Sequence, residues 1–253
     1  MPESDETLLG LAGIALEPHP KDSSWTPSRE ASADQIGRKL ADLVEETPIS
    51  ASAEPMDPKK HSEYLDNLKK RLDGFRDKND EDYDNVQVEK TDKGMTITVG
   101  LKDEHGNDAS ETITHSYEKG CPRVTMTNPP SDQSIFLFMQ SSKGIAPLTL
   151  EKPCGNAETA MRLFEASVIS GVKTELTDDD KQLLESSPEY RDRYATLKLL
   201  ENPANSGALK TFREMASRSG YELGASDLPK FEKPLVGGDL GFKGKTPDIP
   251  DMR

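Results

Sequence analysis

Residues 85–99 read NVQVEKTDKGMTITV, and apolar residues alternate with polar ones on both sides of a short turn. The apolar members of this alternation are Val86, Val88, Met95, Ile97 and Val99. A period of two is the spacing of a β-strand that buries one of its faces. The stretch therefore predicts two strands, joined by a turn at Asp92-Lys93-Gly94.

The alternation continues beyond this pair of strands. Further strands are predicted at residues 112–117, 124–127 and 135–139. Their short connections favour antiparallel neighbours, because a parallel crossover needs a dozen or more residues. Residues 135–139, IFLFM, are apolar at every position, so we expect a central strand that is covered on both faces. Residues 85–150 are thus predicted to form an antiparallel β meander within an α+β fold.

Helices are predicted on both sides of this sheet. Pro58 precedes a helix over residues 59–78, where apolar residues recur at spacings of three and four. After the sheet, Asn156 is the expected N-cap of a helix at residues 157–170, and Gly171 is its expected stop. Additional helices are predicted after Thr177, after Ser187-Pro188 and at residues 207–218.

The composition divides the chain into three parts. Residues 1–58 carry twelve acidic and four basic residues and seven prolines, which predicts an acidic extension with one helix, at residues 33–46. Residues 59–224 are the predicted α+β domain. Residues 225–253 are rich in proline and glycine, so we expect a tail that is extended, mobile or wrapped over the domain.

The net charge of −14 narrows the class of partner. Nucleic-acid-binding proteins neutralise phosphates with clustered Lys and Arg, so no nucleic-acid partner is expected. A protein partner with a basic surface fits this charge, although acidity also serves solubility alone. The sequence does not predict the oligomeric state.

Targeting and redox features favour a reducing compartment. No apolar stretch approaches the roughly 20 residues that span a bilayer. Acidic residues occupy the start of the chain, where a Sec signal peptide would carry basic ones. Cys121 and Cys154 are too few for a disulfide framework. We therefore expect neither a membrane span nor a disulfide-stabilised secreted protein.

Cys154 is the one candidate nucleophile with a physical argument. It precedes a predicted helix N-terminus, where the helix dipole can lower the pKa of a thiol. A thiol enzyme also needs a base, and His115 and His105 lie on predicted strands or turns. Cysteine is more commonly a small buried hydrophobe, however. No cofactor-binding or metal-binding motif occurs, so neither group is expected.

Trp25, the only tryptophan, is a candidate anchor for a partner, because tryptophan is enriched in binding hot spots. The alternative is that its side chain folds back onto its own domain. Two functions thus remain open on the residues alone. The first is a non-enzymatic protein–protein interaction protein, and the second is a thiol-dependent hydrolase or transferase that uses Cys154.

The unit formed by residues 148–150, the helix that ends at Gly171 and residues 172–176 resembles small strand–helix–glycine–strand modules of type IV-secreted effectors of intracellular bacteria. The resemblance includes no catalytic motif. It implies a bacterial effector, or an effector regulator, that acts on host proteins. Such a protein would reside in the bacterial cytoplasm before secretion and in the host cytosol afterwards.

Overall fold

The computed structural model describes residues 47–76, 85–102, 106–218, 220–231 and 234–237, and these residues form an α+β fold. The strands are β1 (Ile49–Ala53), β2 (Val86–Thr91), β3 (Gly94–Lys102), β4 (Asp108–Glu118), β5 (Cys121–Met126), β6 (Leu148–Leu150) and β7 (Thr174–Glu175). The α-helices are α1 (Pro58–Arg76), α2 (Asp132–Ser142), α3 (Ala157–Ser170), α4 (Asp178–Ser186), α5 (Arg191–Leu200) and α6 (Ser206–Ala216). A short 3-10 helix, Pro203–Asn205, precedes α6.

The seven strands form one sheet in the order β2-β3-β4-β5-β1-β6-β7. Neighbouring strands are antiparallel from β2 to β6, and β6 and β7 are parallel. Strands β2 to β5 are consecutive hairpins, which confirms the predicted antiparallel meander over this part of the chain. Helices precede and follow the meander, as predicted.

The prediction of a central strand at residues 135–139 is wrong, because these residues lie in α2. The Ser131 hydroxyl caps this helix and accepts the Ser134 N–H at 3.2 Å. Seven of the eleven residues of α2 are buried. A helix that is surrounded by protein needs no polar stripe, so its sequence shows no helical period. A continuous apolar run therefore had two interpretations, and the helical one is correct.

The boundary of the predicted extension is also corrected. Strand β1 lies before residue 59, yet it inserts between β5 and β6 in the interior of the sheet. Ala51 pairs with Val124 on one side and with Leu150 on the other. Its sequence, ISASA, has small residues at the four positions after Ile49, which gives a weak strand signal. The predicted helix at residues 33–46 lies outside the described residues.

The two faces of the sheet have different chemistry. One face, here called the buried face, carries the apolar side chains of every strand from β1 to β6 and packs against helices. Its fully buried members include Ala51, Ile97, Val99, Ile113, Val124 and Leu148. The opposite face, here called the open face, carries mainly polar residues that are half-buried or exposed, with Ser50 as the buried side chain. One polar and one apolar face is the usual condition of an antiparallel sheet.

Strand β6, helix α3 and strand β7 form a parallel β–α–β unit. The Asn156 side chain accepts the Thr159 N–H at 2.8 Å, and Gly171 ends the helix in the left-handed conformation, with φ of 71°. The predicted order of strand, helix, glycine and strand is therefore confirmed. Helices α4, α5 and α6 pack against α3.

The chain beyond α6 lies against the helices. Leu223 donates its N–H to Asp132 Oδ2 at 2.9 Å, and Gly224 donates its N–H to Glu165 Oε2 at 2.6 Å. Arg193 forms an ion pair with Glu165, whose side chain is fully buried. Two carboxylates, one on α2 and one on α3, thus hold the segment that follows α6 against the folded body.

Candidate functional site

Cys154 occupies a buried site beside a carboxylate. Its side chain is 1% exposed, and its backbone N–H donates to Asp180 Oδ1 at 2.9 Å. Asp180 belongs to the cap of α4, where it also accepts the Thr177 hydroxyl at 2.7 Å. Burial, together with the charge of Asp180, raises the pKa of the Cys154 thiol. The thiol is therefore protonated at neutral pH, which is the opposite of an activated nucleophile.

The candidate bases do not accompany Cys154. His115 lies on β4, on the buried face, and its polar partners are Tyr64 of α1 and Ser141 of α2. Within the described ranges no hydrogen bond connects His115 with Cys154. His105 lies outside the described residues, as does Trp25. The geometry thus argues against a thiol-dependent centre built from Cys154 and His115.

His115 forms a different polar cluster, with Ser141 and Tyr64. His115 Nε2 lies 3.0 Å from Ser141 Oγ, and Nδ1 lies 3.4 Å from the Tyr64 hydroxyl. The spacing of the Ser141 and His115 side chains is that of a nucleophile and its base. The Ser141 hydroxyl, however, donates to the Phe138 carbonyl at 3.0 Å, so Nε2–H is the donor to Ser141. The Tyr64 hydroxyl donates to the Ser141 carbonyl.

Burial decides the role of this cluster. His115 and Ser141 are both fully buried, and no substrate can reach them in the folded state. Burial lowers the pKa of His115 to about 3, because the interior disfavours the charged imidazolium. A base with such a pKa accepts no proton near neutral pH. The cluster therefore serves as a neutral polar connection between the sheet and helices α1 and α2.

His61, on α1 itself, is a second buried histidine. Its side chain is 5% exposed, and Nε2 has no hydrogen-bond partner among the described residues. Its ring centroid lies 6.0 Å from that of Tyr64 and 5.1 Å from that of Tyr117. Burial, and then the positive charge of Lys90, lower the pKa of His61. Burial thus favours the neutral form of both imidazoles.

Two surface grooves contain charged groups but no candidate nucleophile. A groove of about 360 Å³ runs along α1, and its charged walls are Lys60, Glu63 and Arg71. A second groove, of about 390 Å³, lies at the end of β1, β6 and β7, and Lys173 and Glu175 line it with hydroxyl side chains. Such walls can hold a polar or charged group, and neither carries a cysteine or a histidine.

The open face of the sheet is a polar surface rich in hydroxyl side chains. Eleven of its positions on β1 to β6 are serine or threonine: Ser50, Ser52, Thr91, Thr96, Thr98, Ser110, Thr112, Thr114, Ser116, Thr125 and Thr149. The side chains are short and offer hydroxyl donors and acceptors.

The charges of the open face are mainly negative. Its acidic residues are Glu89, Asp108, Glu118, Glu151 and Glu175, and its basic residues are Lys102 and Arg123, for a net charge of −3. The described residues as a whole include 25 acidic and 23 basic residues, a net charge of −2. The open face therefore carries more acidic than basic side chains.

Arg123 organises the centre of that surface. Its Nη1 lies 2.9 Å from Glu118 Oε2, its Nε donates to Ser50 Oγ at 2.9 Å, and its Nη2 pairs with Glu151. The Ser50 hydroxyl in turn donates to Glu151 at 2.8 Å. This network connects β4, β5, β1 and the end of β6, and it explains why Ser50 is buried on an otherwise exposed face.

Neither a metal-binding cluster nor a similarity to a known protein assigns a role to the open face. Within the described ranges, no group of three or more His, Cys, Asp or Glu residues is arranged to hold a metal ion. No helix in the same part of the chain is both long enough and apolar enough to cross a membrane. Comparison with known proteins found no family model, no curated protein and no solved structure that matches this chain.

Proposed function

We propose that this chain is a non-enzymatic protein that binds a basic surface of a partner protein through the open face of its sheet. The observation that carries the proposal is the combination of eleven hydroxyl side chains and a net charge of −3 on one face of the sheet. Complementary charge accelerates encounter and discriminates against wrong partners. Nucleic acid is the wrong partner for a face of this sign.

The chemistry of the face suits recognition by hydrogen bonds. Serine and threonine have few rotatable bonds, so ordering them against a partner costs little side-chain entropy compared with Lys or Gln. Between β2 and β6 in the order of the sheet, which includes β1, there are six neighbouring strands. At the usual strand spacing their open face covers roughly 500 Å². A standard interface buries about 800 Å² on each partner. The area therefore supports a transient complex rather than a permanent one.

The catalytic alternative receives no support from the buried groups. The thiol of Cys154 is buried and protonated, and the His115–Ser141 pair is sealed. The resemblance of residues 148–176 to effector modules supports the proposal that the partner is a host protein and that this chain is a bacterial effector or an effector regulator. The acidity of residues 1–46, which carry ten acidic and four basic residues, also favours a basic partner.

A matched pair of substitutions tests the proposal. Thr114→Lys places a positive charge at the centre of the open face, and Thr211→Lys places the same charge on the exposed surface of α6. Each immobilised full-length protein is exposed to host-cell lysate, and captured proteins are quantified by mass spectrometry. The captured amount of the basic proteins that the unsubstituted chain enriches should be at least about tenfold lower with Thr114→Lys. A tenfold loss of affinity corresponds to about 1.4 kcal/mol of binding free energy.

The control defines the opposite outcome. Thr211→Lys should retain the same captured proteins, because its charge lies on the helical side of the molecule. Circular dichroism of both variants checks that each is folded. Equal capture by Thr114→Lys and the unsubstituted chain would show that the open face is not the binding surface.

A further inference from the structure

The tail returns to the helical layer at residues 234–237, where one buried side chain holds its backbone. Asn205 ends the 3-10 helix before α6 and is 5% exposed. Its Oδ1 accepts the Val236 N–H at 2.8 Å, and its Nδ2 donates to the Val236 carbonyl at 2.8 Å. The same Nδ2 donates to the Leu199 carbonyl at 2.6 Å, which fixes the orientation of the amide.

This arrangement recognises the peptide backbone rather than a side chain. The Asn205 amide supplies one acceptor and one donor, and these match the N–H and C=O of a single extended residue. The Val236 side chain itself is 56% exposed. Every residue with a backbone N–H can therefore occupy this position, and proline, which lacks the N–H, cannot make both bonds.

The two neighbouring positions add selectivity. Leu235 is half-buried and packs against the hydrophobic core. Gly237 lies beside Leu199, and a Cβ atom at residue 237 would stand 2.5 Å from Leu199 Cδ2. A larger residue at 237 would require Leu199 to move. The site thus best fits an extended segment with the pattern apolar–any–glycine, where "any" excludes proline.

We propose that Asn205 and Leu199 form a peptide-binding clamp for an extended apolar–any–glycine segment of a partner protein, and that Leu235-Val236-Gly237 of the chain itself is its resident occupant. The resident competes at the high effective concentration of a tethered ligand, which is in the millimolar range for short linkers. A partner segment with the same pattern binds when it outcompetes the resident. The clamp lies on the helical layer, so it does not depend on binding at the open face.

A labelled peptide tests the clamp in the full chain. The probe is a fluorescein-labelled peptide with the sequence of residues 231–240, and binding is followed by fluorescence anisotropy. Val236→Pro removes the N–H that Asn205 accepts and leaves Asn205 intact. We expect this full-length variant to bind the probe at least about tenfold more tightly than the unsubstituted chain does, because the resident no longer competes. Val236→Ser retains the N–H, so it should behave like the unsubstituted chain.

Changes in the peptide test the recognition without risk to the fold. N-methylation of the valine amide in the probe should abolish binding to the Val236→Pro variant, whereas replacing that valine with serine should leave the affinity within about twofold. The proposal fails if the Val236→Pro variant does not bind the probe, or if the N-methylated probe binds as well as the parent. A chain that is dimeric, and that becomes monomeric on Val236→Pro, would assign the clamp to a second copy and overturn the assignment to a partner protein.

Discussion

Lowering the pH should destabilise the protein through His115, and the magnitude follows from its burial. The pKa of His115 is about 3 in the folded state, whereas an unfolded histidine titrates near 6.5. Between these values the unfolded chain binds a proton that the folded chain does not, so stability falls as the pH falls. From pH 7 to pH 5 the loss amounts to about 2 kcal/mol for this one side chain.

A loss of about 2 kcal/mol is measurable, because domains are typically held by only about 5–15 kcal/mol. Urea denaturation followed by circular dichroism at pH 7, 6 and 5 gives the free energy of unfolding at each pH. His115→Gln should lower stability at pH 7, since it disrupts the contacts with Ser141 and Tyr64. Between pH 7 and pH 5, the free energy of unfolding of this variant should nevertheless fall less steeply with pH. The difference in slope corresponds to about one proton bound on unfolding.

The comparison of slopes also accounts for other titrating groups. His61 is held neutral by burial and contributes a pH dependence of the same sign in both proteins. Carboxylates contribute equally to both as well. Identical slopes for the unsubstituted chain and His115→Gln would refute the argument that His115 is neutral in the folded state.

Three further outcomes are expected. Phe164→Ala should lower the free energy of unfolding by about 3–5 kcal/mol in urea denaturation, because this ring is 5% exposed. Its control, Glu158→Ala on the exposed side of α3, should change the free energy of unfolding by less than about 0.5 kcal/mol. Arg193→Ala should cost about 3–5 kcal/mol in the same assay, since it leaves a fully buried glutamate without its ion pair. Iodoacetamide should label Cys121, which is half-buried, and not Cys154 in the native protein; equal labelling in a peptide map would contradict the assigned burial.

The elements that the sequence predicted well are those with a local physical signal. Strands β2 and β3 follow a strict alternation around a turn, and their register confirms it. Helix α3 begins and ends where its cap residues predict, because Asn156 and Gly171 satisfy the helix ends by local hydrogen bonds and backbone conformation. In these segments, neighbours in the sequence determine the structure.

The two errors arose where the determinant is not local. An apolar run such as residues 135–139 fits a strand covered on both faces as well as a helix surrounded by protein. The deciding signal was Ser131 as an N-cap, which fits only the helical alternative. Strand β1 was missed because its small residues carry little apolar area, and its place in the sheet comes from pairing with β5 and β6.

The polar cluster and the open face could not be predicted from the sequence, because both depend on which elements pack together. His115, Tyr64 and Ser141 are separated by 26 to 77 residues, and only the packing of α1 and α2 on one side of β4 brings them together. The alternation of hydroxyl residues along β3 and β4 is visible in the sequence, but alternation alone does not tell which face a helix covers. Because the apolar face takes α1 and α2, the hydroxyl face is the one that no described helix covers. Its negative charge then follows from side chains on five separate strands and the residue after β6, and no single segment of the chain displays it.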